Sequence, residues 1–158
     1  MRILSREEAN FFIKECISVA KKATCSRFKC GSIIVKDGKI IGSGFNSPPK
    51  DLESQRRCFN SKADYDVKVT DKTCCVHAEQ RAMFDSLRRN PKKIKGSTLY
   101  FVRINEEGEV LFAGKPYCTI CSKMALDIGI KEFVLFHEDK AIAYEVEEYN
   151  NFSYGYFS

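Results

Sequence analysis

The chain has 158 residues, of which 44% are hydrophobic and 30% are charged, a balance typical of a globular protein with a buried core. No apolar run approaches the roughly 18 residues of a membrane span, and no apolar segment with a cleavage site follows the charged N-terminal stretch, so we expect a cytoplasmic protein. The net charge of +5 favours anionic ligands only mildly. We expect a single domain over residues 1–158.

The first part of the chain predicts a helix followed by a β-hairpin. Ser5 and Glu8 have the spacing of a capping box, and apolar residues then recur at helical spacing, which predicts a helix from about Arg6 to Lys22. Two β-rich runs within residues 31–45 flank Asp37-Gly38, a dipeptide typical of a hairpin turn.

The rest of the chain alternates helices and strands after a long irregular stretch. Residues 46–75 lack clean periodicity and are interpreted as a long loop insertion with a function. Residues 140–158 are expected to form an aromatic C-terminal tail. The elements between them are a helix over 78–89, strands over 97–102 and 110–112, a helix over 119–128 and a strand over 132–136. This order indicates a mixed sheet covered by helices.

Eight cysteines are many for an intracellular chain of this length. A secreted disulfide scaffold would need a signal peptide and a loop-rich sequence, and neither is found. Metal ligation is the better interpretation, because Cys118 and Cys121 have the spacing of metal ligands. A single Cys-x-x-Cys at the start of a helix also occurs in redox proteins, so a dithiol oxidoreductase is one alternative.

A histidine and a glutamate complete a constellation with these two cysteines. His77 opens one predicted helix and Cys118 opens the next, with one strand unit between them, so both helix N-termini can meet at one sheet edge. One imidazole and two thiolates suit zinc and leave its fourth position open for water. Glu79 lies close enough to exchange a proton with that water. The sequence thus predicts one catalytic zinc on His77, Cys118 and Cys121, with Glu79 as general acid and base. The oxidoreductase alternative leaves His77 and Glu79 unexplained.

This combination resembles the signature of the zinc-dependent nucleobase deaminases. The matching segments are His77-Ala78-Glu79 and 116–121. Segments 23–27, 31–38 and 44–48 are similar to the opening motifs of the deoxycytidylate deaminase branch of the cytidine deaminase superfamily, and 129–134 resembles its following Gly-Ile and strand. The resemblance covers most of residues 21–136. It implies a three-layer α/β fold, a mixed five-stranded sheet with helices on both faces. It also favours the branch whose last strands run parallel, which contains the deoxycytidylate and tRNA-type deaminases, over the free cytidine deaminases.

The resemblance also implies a reaction and its contacts. The expected activity is hydrolytic deamination of a cytosine nucleotide, dCMP to dUMP, with release of ammonia. Asn46 and the Ala78 backbone are the implied substrate contacts, and Arg27 is the implied phosphate contact. We expect a homo-oligomer with a small-molecule substrate, without membrane or nucleic-acid partners. The alternatives are a tRNA, RNA or free-base deaminase and, outside the enzymes, an inactive zinc-binding regulatory module.

The sequence departs from the family pattern around the predicted pocket. Tyr117 separates Pro116 from Cys118, Ser47 replaces a glycine, and Gln80-Arg81 stand where small or aliphatic residues are usual. The ligand spacing is intact, so these changes bear on substrate choice more than on chemistry.

The remaining cysteines suggest a second, structural zinc that would pin the long loop. The alternative is that they are small buried residues packed near the active helix. The candidate ligands are Cys25, Cys30, Cys58, Cys74 and Cys75.

Overall fold

The computed structural model describes residues 1–68 and 71–156. The strands are β1 (Arg2–Ile3), β2 (Lys29–Lys36), β3 (Lys39–Phe45), β4 (Thr98–Ile104), β5 (Val110–Leu111), β6 (Glu132–Phe136) and β7 (Ala141–Glu145). The α-helices are α1 (Arg6–Ala20), α2 (Ala78–Arg89), α3 (Thr119–Ile128) and α4 (Val146–Tyr154). Within the described part of the chain, every helix is too short or too polar to cross a membrane.

The predicted three-layer α/β class is confirmed, and among the described residues the sheet has seven strands instead of five. Its order is β1-β7-β6-β4-β2-β3, with β5 paired to β4. Strand β5 corresponds to the strand predicted over 110–112. The two strands that the sequence did not predict are β1, with two residues, and β7, which lies in the segment predicted as a tail. A two-residue strand such as β1 carries too little alternation of apolar and polar residues to be recognised from sequence.

The expectation that the last strands run parallel is wrong. β6 and β7 pair antiparallel, with Glu132 opposite Glu145 and Phe136 opposite Ala141. Their connection is closed by a hydrogen bond of 2.7 Å from the His137 N–H to the Lys140 carbonyl. A parallel pair needs a crossover of about a dozen or more residues, so this short connection permits only a hairpin. The parallel pair of the sheet is β4 with β6, between which α3 forms the crossover.

The predicted N-cap of α1 is confirmed, while the capping box is not reciprocal. The Ser5 hydroxyl accepts the Glu8 N–H at 3.2 Å. The Glu8 carboxylate accepts a hydrogen bond from the Tyr100 hydroxyl, also at 3.2 Å, and thereby ties α1 to β4. The helix ends at Ala20, two residues before the predicted end.

The two faces of the sheet bury separate cores. Along β4, Leu99 and Phe101 face the core beneath α2 and α3, whereas Tyr100 and Val102 face the core beneath α1. This alternation follows from the two-residue period of a strand. The functional side chains considered below lie on the α2 and α3 side.

Two glycines allow α2 to lie directly on β3. A Cβ on Gly44 would lie 2.5 Å from the Ala78 carbonyl oxygen, and one on Gly42 would lie 2.7 Å from the Ala82 carbonyl oxygen. Real side chains do not tolerate such contacts with backbone. The absence of side chains at these positions therefore fixes the start of α2 beside the end of β3.

The segments predicted as a loop and a tail differ in structure. The described residues of 46–75 contain three short 3₁₀ turns and no α-helix or strand. Residues 141–154 form β7 and α4, and Tyr149 of α4 stacks on Phe133 with ring centroids 4.1 Å apart. The last two residues of the predicted tail, 157 and 158, lie outside the described residues.

Candidate metal centre

The structure brings His77, Cys118 and Cys121 together between the N-termini of α2 and α3. Their ligand atoms all lie within 4.8 Å of one another. The His77 Nδ1 is 3.3 Å from the Cys121 Sγ and 3.5 Å from the Cys118 Sγ. His77 is the N-cap of α2 and Cys118 is the N-cap of α3, so local helix geometry positions both side chains.

The donor set fits a zinc ion. Zinc accepts imidazole nitrogen and thiolate sulfur in tetrahedral geometry, and three protein ligands leave one position open. Two helix N-termini supply positive potential that favours thiolates. The Cys121 N–H points at the Cys118 Sγ at 3.5 Å, which further supports negative charge on that sulfur.

Hydrogen bonds within the cluster shift the pKa values of its three groups. A hydrogen bond from Cys121, assisted by His77 and opposed by burial, lowers the pKa of Cys118 to about 4. The hydrogen bond with Cys118 raises the pKa of His77 to about 11. A hydrogen bond with Cys118 and burial raise the pKa of Cys121. Metal binding would displace the remaining protons, because only neutral imidazole and thiolate bind metal.

Glu79 lies in the first turn of α2 beside this cluster. Its side chain is buried, with 6% of the residue exposed. Burial raises the pKa of Glu79 to about 7, although the His77 charge acts in the opposite direction. The carboxyl group can therefore take up or release a proton near neutral pH.

A cavity of about 270 Å³ opens above the cluster. Cys121 is buried and is not part of its lining, whereas the other predicted site residues line it. They are Arg27, Asn46, His77, Ala78, Glu79 and Cys118. Sequence reasoning therefore selected residues that the fold places around one cavity.

Asn46 and Arg27 also have local structural roles. The Asn46 amide oxygen accepts the Cys30 N–H at 2.8 Å, and its amide nitrogen donates to the Phe28 carbonyl at 2.8 Å. The Arg27 guanidinium donates to the carbonyls of Cys58 and Asn60 at 3.0 and 3.1 Å. Each side chain keeps further donors, but each is anchored to backbone.

Arg81 is a positioning residue that sequence reasoning did not identify. Its guanidinium donates to the carbonyls of Phe45 and Pro48 at 3.2 and 2.8 Å and also contacts the Ser47 hydroxyl. Arg81 thereby ties the segment around Asn46 to α2. The departure of Gln80-Arg81 from the family pattern was the signal in the sequence.

Four further cavity residues were also missed, namely Phe28, Thr73, Phe101 and Arg103. Phe101 and Arg103 share a face of β4 with Leu99, because side chains alternate along a strand. That alternation was visible in the sequence, but which face would meet α2 and α3 was not.

A second cluster consists of Cys25, Cys58 and Cys75, whose sulfur atoms lie within 4.8 Å of one another. All three residues are buried. Although burial acts in the opposite direction, hydrogen bonds from Ser26 and Arg56 lower the pKa of Cys58 to about 6. Cys30 and Cys74, the other two candidates for a second zinc, are not part of this cluster.

The fold and the centre define a class of α/β domains that can hold a metal ion at two helix N-termini, beside a buried carboxyl group. The sequence model of the family described as "Cytidine and deoxycytidylate deaminase zinc-binding region" matches residues 6–137. The chain belongs to this family, which is zinc-binding, and the cluster of His77, Cys118 and Cys121 is able to hold the ion.

Similar proteins with names include deoxycytidylate deaminases. The chain is 25% identical over 129 residues to the deoxycytidylate deaminase of Saccharomyces cerevisiae, covering 79% of this chain and 36% of the relative. The chain thus spans about a third of the yeast protein's length. It is also 25% identical over 131 residues to that of Mycobacterium phage D29, covering 78% of this chain and 90% of the relative. The crystal structure of dCMP deaminase from cyanophage S-TIM5 aligns with a TM-score of 0.58 and 25% identity, covering 82% of each chain.

Proposed function

We propose that this protein is a zinc-dependent hydrolase that converts dCMP and water to dUMP and ammonia, with zinc on His77, Cys118 and Cys121. The observation that carries the proposal is the buried carboxyl of Glu79, which lies in the wall of the cavity beside these three residues. A cavity lined by candidate metal ligands and one buried carboxyl group suits a hydrolysis that needs proton transfer.

The proton balance of the reaction gives Glu79 two tasks. Zinc bound at the cluster would supply a water whose pKa is lowered to about 7. The C–N bond at C4 of cytosine breaks and a C–O bond forms, while one water proton passes to the ring nitrogen N3 and the other leaves with ammonia. Glu79 accepts a proton from water and returns it to the substrate. The carboxyl group therefore ends the cycle in its starting state.

Three residues are proposed to hold the substrate. The Ala78 backbone at the start of α2 would lie against the base. Asn46 retains one amide N–H and further acceptor capacity for the sugar, and Arg27 retains three of its five N–H groups for an anion. Their positions in the cavity wall support these roles.

A nucleotide is the preferred substrate class because the named relatives act on deoxycytidylate. The S-TIM5 enzyme has also been solved in complex with dCMP and dUMP. One observation favours a second candidate, free cytidine or deoxycytidine. Parallel last strands would have favoured the nucleotide and tRNA deaminases over the free cytidine deaminases. Because β6 and β7 pair antiparallel, the strand direction does not favour them.

Ammonia release across a substrate panel tests the proposal. The panel contains cytosine, cytidine, deoxycytidine, dCMP, guanine, adenine and tRNA. We expect the highest kcat/KM with dCMP. A preference for deoxycytidine would support the second candidate, and release from tRNA or guanine alone, or from none of the compounds, would refute deamination of a cytosine nucleotide.

We also propose a second, structural zinc on Cys25, Cys58 and Cys75. Three soft ligands converge there, and Cys58 belongs to the long loop, so a metal would pin that loop to the segment before β2. Metal analysis should find two zinc ions per chain in the wild type and one in Cys58→Ser. Cys16→Ala, outside both clusters, is the control and should keep two.

Homo-oligomerisation is proposed as well. Phe84 and Leu87 are three residues apart on α2 and are 47% and 41% exposed, which places two large apolar side chains on one outward face. Sedimentation equilibrium should give a multiple of 18.1 kDa. Replacement of both side chains by Ser should shift the equilibrium toward that monomer mass, and a monomeric wild type would contradict the proposal.

A further inference from the structure

A second cavity, of about 490 Å³, adjoins the cavity at the metal centre. Phe28, Glu79, Phe101 and Arg103 line both cavities. The two together form a cleft that begins at the buried carboxyl and continues past Arg103. A ligand whose reacting end lies at Glu79 would extend its other end toward Arg103.

The Arg103 guanidinium packs on the Phe28 ring and forms no ion pair within the described residues. Its guanidinium carbon lies 4.5 Å from the centroid of the Phe28 ring. The sheet register explains this contact, because Arg103 is opposite Cys30 on β2 and Phe28 is the next residue on the same face. Among the described residues, the Arg103 side chain has no hydrogen bond and no ion pair within reach.

This arrangement suits recognition of a phosphate. A guanidinium that packs on an aromatic ring can still donate hydrogen bonds from the N–H groups at its edge. Such an edge can bind phosphate oxygens through two parallel hydrogen bonds. Lys115 lines the second cavity and adds a second positive charge.

Apart from Lys115, the charged residues nearest the cleft already have partners. Arg27 uses two donors on the Cys58 and Asn60 carbonyls. Glu106, an acidic residue that follows β4, pairs with Lys29 at 3.0 Å. Arg103 is therefore the guanidinium in the cleft that packs on an aromatic ring and makes no hydrogen bond within the described residues.

We infer that Arg103, oriented by Phe28, binds the 5′-phosphate of the substrate and makes the enzyme select a nucleotide over a nucleoside. This inference rests on the proposed function and adds a specificity-determining residue to it. It also gives Arg27 a different principal role, as the anchor of the long loop.

The test compares dCMP with deoxycytidine, which differ only in the phosphate. Arg103→Met keeps the aliphatic stem on Phe28 and removes the charge. We expect kcat/KM for dCMP to fall about 10- to 100-fold, the range for loss of a charge-assisted bidentate contact, while kcat/KM for deoxycytidine stays unchanged. Arg103→Lys keeps the charge without the planar edge and should give an intermediate loss.

Arg88→Met is the matched control, because Arg88 is exposed near the end of α2 and is outside both cavities. It removes the same charge and should leave both substrates unaffected. Equal losses for dCMP and deoxycytidine in Arg103→Met would overturn the inference, since a structural role would affect both. Thermal unfolding of each variant monitors the fold.

Calorimetric titration with dUMP separates this inference from the proposed function. If the wild type deaminates no cytosine compound, the proposed function fails, and binding of dUMP still reports on Arg103. Weaker dUMP binding by Arg103→Met than by the wild type supports the phosphate site. Equal binding by the two proteins, or no binding by the wild type, overturns it.

Discussion

The proposed catalytic role of Glu79 can be tested separately from metal binding. Glu79→Gln keeps the size of the side chain and removes its ability to accept a proton. We expect kcat to fall by about 10²- to 10⁴-fold, the usual contribution of a positioned acid or base, with the zinc content unchanged. Ammonia release and metal analysis on the same sample measure both quantities.

His77→Ala is the complementary variant, because it should lower the zinc content. Wild-type activity in Glu79→Gln would show that another group transfers the proton.

Arg81 stabilises the segment that carries Asn46. Arg81→Met removes the hydrogen bonds to the Phe45 and Pro48 carbonyls, which lie in a partly buried region. We expect the free energy of unfolding to fall by about 2 kcal/mol, since hydrogen bonds from a charged donor contribute about 1.5–3 kcal/mol. Urea denaturation measures this change. Arg88→Met on the same helix should stay within about 0.5 kcal/mol of the wild type, and an equally small effect of Arg81→Met would refute the role.

At the scale of elements, the contact between α2 and β3 determines where His77 and Glu79 lie. Gly44→Ala would place a Cβ 2.5 Å from the Ala78 carbonyl oxygen. We expect a loss of about 1–3 kcal/mol of stability from overpacking, together with weaker zinc retention as the start of α2 is displaced. Thermal unfolding and metal analysis after dialysis test this. Gly114→Ala is the control, because its Cβ would meet no atom within 4 Å in the described part of the chain.

The N-terminal strand is joined to β6 by a charge pair. Arg2 donates to both carboxylate oxygens of Glu132, at 2.8 and 3.0 Å. The hydrogen bond from Arg2 lowers the pKa of Glu132, although burial opposes the shift. Because the folded-state pKa lies below the unfolded value of about 4.3, the pair stabilises the fold above that pH. Its contribution disappears as the pH falls through the folded-state pKa.

Arg2→Met should therefore destabilise the protein at neutral pH and not in acid. The Arg2 side chain is 48% exposed, so solvent screening limits the expected loss to about 1 kcal/mol at most. Urea denaturation at a series of pH values tests the trend, with Lys14→Met as the control. A difference that persists at the lowest pH would contradict the account.

For the whole molecule, zinc bound on His77, Cys118 and Cys121 would join two helices that are distant in sequence. A ligand that binds only the folded state stabilises it, by about 2.7 kcal/mol at 100 times its dissociation constant. Removal of zinc by a chelator should lower the midpoint of thermal unfolding, and added zinc should restore it. His77→Ala should show a smaller response. A midpoint independent of chelator in the wild type would contradict a metal-linked fold.

Two other expectations at this scale stay predictions. They are the cytoplasmic location and the homo-oligomeric state.

The sequence alone predicted the regular elements well where their signals are local. The helix over 78–89, the helix over 119–128 and the strand over 132–136 have the predicted limits. Apolar periodicity, caps and proline act over a few neighbouring residues, so they can be recognised without the fold. The sequence also indicated His77, Cys118 and Cys121, whose ligand atoms the fold brings within 4.8 Å of one another.

Tertiary structure decided the features that depend on residues distant in sequence. It set the antiparallel direction of β6 and β7 and brought Cys58 close to two other cysteines. It also placed the Arg81 guanidinium against the segment around Asn46. It also aimed Arg103 into the cleft, because the packing of α2 and α3 chose which face of β4 lines the site. The sequence by itself determined which side chains were available for zinc and proton transfer. The packing of the helices on one sheet face decided which of these side chains lie close together. It also placed Arg103 beside them.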